Sequence, residues 1–207
     1  MPSRPPSKAN AAKEEAILRE AVCAFARDGF RGTDVQEIAD RAGVGKGTVY
    51  RYFHEKQELF WATVYWVLEK LDSHLAHAMA GEQRALEKLR ASCHAYGEFF
   101  ETNPEYLEIF VLDRAEFRGK APESHLERHE EMIRKFSTII EEGIERHEIR
   151  PLDPRQTVLA LASTLYGSVV HAAYAKFDRP VSELAATATE IFLRGIAAES
   201  ISEGEQV

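Results

Sequence analysis

Apolar residues return every three or four positions along most of the chain, the period of an amphipathic helix. Ile17, Leu18, Ala21, Val22 and Phe25 form the stripe of a first helix that Gly29 ends, and Val35, Ile38, Ala39 and Ala42 mark a short second one. Leu59, Phe60, Thr63, Val64, Val67, Leu68, Leu71 and Leu75 carry a long helix over about 56–80. Unbroken, it would run roughly 35 Å, enough to join two lobes. Leu86, Leu89, Cys93, Tyr96, Phe99 and Phe100 make the next stripe; Tyr106, Ile109, Phe110 and Phe117 make a shorter one. Leu126, Ile133, Phe136, Ile140 and Ile144 follow, then an apolar segment around 159–174, and finally Leu184, Ala188, Ile191, Phe192 and Ile196. Proline is absent between Pro6 and Pro104, whereas Pro104, Pro122, Pro151, Pro154 and Pro180 divide the remainder. No useful period-two run occurs, so the pattern predicts an all-α protein of about nine helices. Segments 1–8 and 200–207 read as an unstructured arm and tail.

With 207 residues, 44% of them hydrophobic, the chain is long enough for a substantial core and too apolar for disorder. Its two cysteines, Cys23 and Cys93, make neither a disulfide framework nor a CxxC zinc site. Both are expected to be small buried residues in a reducing cytoplasm. The N-terminus lacks the apolar run of a secretory signal. Residues 157–175 carry no Asp, Glu, Lys or Arg and approach spanning length. Ser163, Thr164, Gly167, Ser168 and His171 interrupt that segment and favour a soluble helix buried on two sides, so no membrane is expected. Charge is uneven. Residues 1–56 hold ten Lys/Arg against eight Asp/Glu, while the rest hold sixteen against twenty-six, a slightly basic head on an acidic body.

The segment GTDVQEIADRAGVGKGTVYRYFHEKQELF, residues 32–60, carries the most information. Thr33 with Gln36 three positions on has the spacing of a capping box and predicts a helix start there. Gly43 follows Ala42 and suits the left-handed conformation of a sharp turn, after which a second short helix begins near Lys46. Ala39, Gly43 and Val49 have the spacing of a helix-turn-helix: a small residue for close approach, a glycine for the turn, and a core anchor shared with Phe53. Lys46, Gly47, Thr48, Arg51 and Tyr52 then fall on the opposite, polar face. Lys46, Thr48 and Arg51 suit base edges in a major groove, and Gly47 removes bulk where backbone nears DNA. Tyr50, Tyr52, His54 and Lys56 offer phosphate donors, as does Thr33 from the preceding helix end.

These residues, with a helix before them and an acidic helical body after them, resemble the TetR family of bacterial transcriptional regulators. The resemblance covers about 12–60 and is most specific at TVYRYF with Lys56 and Leu59. It implies a homodimer on a palindromic double-stranded DNA operator, and a body whose small-molecule effector re-spaces the heads and releases DNA. By position it assigns DNA contacts to Gln36, Lys46, Gly47, Thr48, Tyr50, Arg51, Tyr52 and Lys56. Two departures stand out. Gly45 takes the place of a frequent Ser before the recognition helix, and Glu55 replaces the usual Ser, Asn or Asp cap of the long helix. The expected organisation is a DNA-binding head at 9–55 and an effector-binding, dimerising body at 56–199.

The segment from Val158 to Tyr174, apolar on nearly every side, requires cover from its own core and from something else. Small residues Ala160, Ala162, Ser163 and Gly167, with Ala185, Ala188 and Gly195 later, suit a four-helix interface between two copies through about 155–178 and 181–198. Aromatics crowd the middle helices, as core, pocket or both. Tyr96, Phe100, Phe110, Phe117, Phe136 and Tyr166 are the candidates for lining a hydrophobic or aromatic effector site, with Asp113 and His171 as its polar members. His74 with His77, and His125 with His129, share helical spacing but lack a third ligand, so no metal or cofactor is expected. HExxH, GxSxG and P-loop patterns are absent. A cytoplasmic, non-enzymatic, ligand-responsive repressor is the expectation; an activator or DNA-organising protein without an effector is the alternative.

Overall fold

The structure is a computed structural model that describes residues 8–116, 122–175 and 180–198. Among them the chain forms nine helices: α1 (Lys8–Gly32), α2 (Val35–Arg41), α3 (Lys46–Tyr52), α4 (Lys56–Met79), α5 (Ala85–Thr102), α6 (Pro104–Glu116), α7 (Glu123–Glu145), α8 (Pro154–Tyr174) and α9 (Val181–Ile196). No strand occurs among the described residues; one isolated antiparallel bridge joins Ile149 and Ala197. The all-α reading holds. Of the expected tails, residues 1–7 and 199–207 lie outside the described residues, and Lys8 already opens α1.

Two compact units divide the chain. The first contains α1 to α3, α4 as far as Lys70, and α6; the second contains α4 from Leu71 onward, α5, and α7 to α9. In the first unit the apolar stripe of α1 (Ile17, Ala21, Phe25), Ile38 of α2, and Leu59, Phe60 and Val64 of α4 are all almost fully buried. Phe60 receives Phe25 edge-on at 5.2 Å between centroids and Phe30 at 5.5 Å. Helix α6, which the sequence places in the body segment, packs against α1 here: Leu107 and Ile109 are buried and Arg31 pairs with Glu116 at 3.2 Å. Helical geometry breaks at Gly29, with φ of 70° and ψ of 172°, where the sequence ends the first helix. Cys23 is exposed rather than buried. It lies two residues past Ala21, roughly 200° around the helix from the buried stripe.

In the second unit Leu89, Ile133, Ile140, Ile149, Val169 and Leu193 form the centre of the core. Cys93 is buried there as expected, and burial pushes its thiol up to about 11. Close approach is bought with glycine. A Cβ on Gly97 would lie 2.9 Å from the Ala185 Cβ, so α5 and α9 pack nearly backbone to backbone. A Cβ on Gly143 would lie 2.6 Å from Ile149 Cδ1 and 2.8 Å from the Ala85 Cβ. Ala85 has no rotamer to retreat into and Ile149 is fully buried. Gly143→Val is therefore expected to lower stability through overpacking by about 1–3 kcal/mol, read as a fall of several degrees in a thermal melt. An unchanged melting temperature would contradict this packing.

Backbone pairing fixes the end of α9. Arg150 N–H donates to the Ile196 carbonyl and Ala198 N–H to the Glu148 carbonyl, each at 3.0 Å. Asp153 caps α8 by accepting from the Gln156 N–H at 2.8 Å, with Pro154 in the first turn. One face of α8 (Thr157, Val158, Leu161, Leu165, Val169, Ala172) is buried. The opposite face, Ala160, Ser163, Thr164, Gly167 and His171, is exposed. Helix α8 has the length and composition to cross a membrane, at a mean hydropathy of 1.2, with 33% of that window buried within the chain. Tyr174 at its end is 52% exposed, and Ile191 on α9 is 70% exposed.

Candidate nucleic-acid interface

Helices α2 and α3 are each only seven residues, too short to persist without a core to pack on. Ile38, Ala39 and Val49, none measurably exposed, and Phe53 supply that core. The turn between the helices is closed by hydrogen bonds from Ala42 N–H to the Ile38 carbonyl, Gly43 N–H to Asp40, and Val44 N–H to Ala39. Gly43 takes φ of 67°, the left-handed conformation that its place in the motif demands. Gly45 stands at the N-cap of α3 and offers no side-chain hydrogen bond, as its identity requires.

With Val49 fixed inward, α3 turns its other residues outward. Gly47, Tyr50 and Arg51 are exposed, while Lys46, Thr48 and Tyr52 are half-buried. A Cβ on Gly47 would meet nothing within 4 Å, so no contact inside the chain calls for glycine there. The Arg51 guanidinium lies 5.7 Å from the Tyr52 ring centroid, and the Tyr52 hydroxyl donates to the Asn10 carbonyl of α1 at 3.2 Å. Lys46 pairs with Asp34 at 3.6 Å. Gln36 donates through Nε2 to Asp40 at 2.7 Å, which holds its amide along the outer side of α2.

Thr33 departs from the expectation. It is 4% exposed, and its hydroxyl lies 2.7 Å from the Gly29 carbonyl and 3.2 Å from that of Ala24. Its side chain joins the end of α1 to the start of α2 and is not an outward phosphate donor. Nor is it the cap: Asp34 caps α2, its Oδ1 accepting from the Gln36 N–H at 2.8 Å. Lys56 is also turned to the scaffold. Its Nζ donates to the Thr33 carbonyl at 2.7 Å and to Arg31 at 3.1 Å, above the Phe30 ring. Desolvation pushes this amine's pKa down, partly opposed by Asp34.

Sequence reasoning missed several supports of this surface. Arg27 of α1 bonds both Asp28 and Glu37, and Arg41 pairs with Glu37 at 3.1 Å, tying α2 to α1 by charge. Asp28 is held below the usual carboxylate range by the Arg27 guanidinium. Glu37 to Arg41 was legible as an i,i+4 pair; Arg27 to Glu37 needs the fold. Just before α4, where Glu55 stands in place of the usual Ser, Asn or Asp, Glu58 reaches back to the His54 N–H at 2.9 Å.

The expected effector residues divide between the units. Phe110 and Asp113, both half-buried, belong to the first; Tyr96, Phe100, Phe136, Tyr166 and His171 belong to the second. Phe117 lies outside the described residues. In the second unit Tyr96 meets Phe100 edge-on at 4.9 Å, Phe99 meets Phe100 at 5.2 Å, and His74 lies 5.7 Å from Phe99. His171 is exposed and lies on the uncovered face of α8, because it follows Thr164 and Gly167 at helical spacing. That placement takes it out of the apolar interior where the sequence put it. Among the described residues no three His, Cys, Asp or Glu side chains gather as a metal site.

Comparison with known proteins agrees with this geometry. The family model described as bacterial regulatory proteins, tetR family, matches residues 17–63, and that described as tetracyclin repressor-like, C-terminal domain, matches 82–170. The HTH-type transcriptional regulator YhgD of Bacillus subtilis is 29% identical over 150 residues, 72% of this chain and 78% of that one. The HTH-type transcriptional repressor KstR2 of Mycobacterium tuberculosis is 26% identical over 65% of this chain and 68% of its own. The crystal structure of Bacillus subtilis FadR in complex with stearoyl-CoA shares the fold, with a TM-score of 0.75 at 21% identity, covering 88% of this chain and 98% of that chain.

Proposed function

The chain belongs to the TetR family of transcriptional regulators, and from that premise we propose that it is a cytoplasmic homodimeric repressor released from a palindromic operator by a hydrophobic or aromatic small molecule. The observation that carries the DNA-binding part is the α3 surface, where Val49 faces inward and Lys46, Gly47, Thr48, Tyr50, Arg51 and Tyr52 line the outer side. A helix so held enters a major groove, with Lys46, Thr48 and Arg51 at base edges and Tyr50 and Tyr52 at phosphates. Gln36 joins them from α2, the helix that crosses the backbone. Residues 9–55 form this DNA-binding head and 56–199 the effector-binding and dimerising body.

The partner on the uncovered faces of α8 and α9 is a second copy. Gly167 and Gly195 each have open space where a Cβ would stand. Glycine inside a helix costs about 1 kcal/mol relative to alanine, so its retention at two open positions suits close approach by another helix. Leu159, Tyr174 and Ile191 supply the exposed apolar area of that face. The polar groups Ser163, Thr164 and His171 on the same face suit a protein partner better than lipid. Two linked heads are needed because one seven-residue helix reads too few base pairs to be selective.

In this reading the effector binds among the aromatics of the second unit, Tyr96, Phe100, Phe136 and Tyr166. Their apolar character and the stearoyl-CoA bound by FadR support a hydrophobic ligand. Helix α4 contributes residues to both units and is the segment through which effector binding would alter head spacing. An effector lowers DNA affinity by its differential affinity for the two spacings and by nothing else. No catalytic step is part of this reading; the named relatives are regulators.

The deciding experiment is an anisotropy titration of the full chain against operator sequences enriched from genomic DNA, starting with DNA upstream of its own gene. Competitor-resistant binding that weakens steeply with salt is the expected result. Genomic selection that enriches no sequence above a random pool would overturn the reading.

A further inference from the structure

We propose that Asp34 is a specificity-determining residue that restrains Lys46 and damps charge-driven attachment to arbitrary DNA. This rests on the DNA-binding reading above. Asp34 Oδ1 accepts the Gln36 N–H at 2.8 Å, and the Lys46 Nζ lies 3.6 Å from the same oxygen. The Asp34 side chain is 68% exposed. The Gln36 N–H above all, and then the cations Lys46 and Lys56, hold its carboxyl below the usual range, so it is ionised at neutral pH.

The fold does not need that charge. Asn and Ser cap a helix as well as Asp does, so the carboxylate is surplus to its capping role. Its effect falls on the DNA-facing side. A lysine is a flexible point charge with three donors, and beside phosphate it adds to the sequence-independent term that makes up essentially all non-specific binding. Asp34 opposes this in two ways. Its negative charge stands within the contact zone of Lys46 and repels phosphate, and the pairing confines a side chain that would otherwise reach any nearby anion. At a matched site Lys46 exchanges Asp34 for acceptors fixed on a guanine edge, where a held lysine loses less freedom. On arbitrary DNA it exchanges one anion for another. The carboxylate therefore penalises random sequence more than operator.

Asp34→Asn keeps the cap and the shape while removing the charge. The test measures affinity of the full-length wild type and D34N for a selected operator and for a random duplex across a salt series, with a thermal melt of each. D34N is expected to melt like the wild type, to bind the random duplex about three- to tenfold tighter, and to show a log affinity against log salt slope steeper by about one per head. Operator affinity should rise by less than half that factor on a logarithmic scale, so the specificity ratio falls. In a Lys46→Met background the same substitution should have less than half its effect on random DNA. An unchanged random-duplex affinity and slope, or equal tightening on both duplexes, overturns the proposal while leaving the regulator reading intact. A wild type that does not distinguish any selected sequence from random overturns both.

Discussion

Replacing Ile191 with glutamate is expected to convert the protein from a dimer to a monomer at micromolar concentration and to lower operator affinity by more than a hundredfold. Ile191 is 70% exposed on α9, one helical turn before Gly195, and the rest of its chain does not explain an isoleucine there. Covering such a side chain contributes about 1.5–3 kcal/mol, and symmetry counts it twice. Glutamate forfeits both contributions, about 3 kcal/mol or more together, and sets like charges into a patch the partner should desolvate, which adds to the penalty. The folded chain should tolerate the change because the site is exposed within it. Circular dichroism should therefore be unchanged while sedimentation equilibrium reports the chain mass of 23.4 kDa. Operator affinity then collapses because a lone head has lost the effective concentration its partner provided. A variant that stays dimeric, or a monomer that binds operator as well as the wild type, would refute the α8–α9 interface.

How far the sequence reached is best seen at the helix-turn-helix. Ala39, Gly43 and Val49 predicted a turn and a core contact, and the structure has the left-handed Gly43 and the buried pair in place. Such spacing is legible because it encodes backbone conformation and helix face, both local properties. Thr33 shows where legibility ends. A threonine hydroxyl before a helix serves equally to cap that helix or to bond the carbonyls behind it, and the sequence does not rank the two. Asp34, one residue on, takes the cap and leaves Thr33 to the end of α1. Lys56 shows a related limit. A long cation next to a DNA-binding motif reads as a phosphate donor, but its carbonyl partners, those of Arg31 and Thr33, are remote in sequence. Helix α6 follows the same logic at a larger scale. Its apolar stripe fixed which face is buried, whereas its packing on α1 depends on tertiary partners that periodicity does not name.

On the proposed orientation of α3, Arg51 and Tyr50 should separate base reading from backbone attachment. Both are exposed on α3, so alanine at either position leaves the Val49–Phe53 core and the melting temperature unchanged. Arginine carries five donors in a fixed fork and pairs bidentately with guanine O6 and N7, a contact that random sequence supplies only by chance. Arg51→Ala is expected to cost about 1–3 kcal/mol per head on the operator, with a much smaller loss on a random duplex. Because two heads bind one site, the measured operator affinity should fall at least about thirtyfold. Lysine at position 51 keeps the charge but not the fork, and should recover the random-duplex affinity without recovering the operator's. On the same proposal Tyr50→Ala removes a phosphate donor instead, and should weaken operator and random duplex by the same factor. The two profiles are opposite in kind, so paired titrations of both variants test the orientation of α3 in the groove. Equal losses on both duplexes for Arg51→Ala would mean that Arg51 grips the backbone, and base reading would then pass to Lys46 and Thr48.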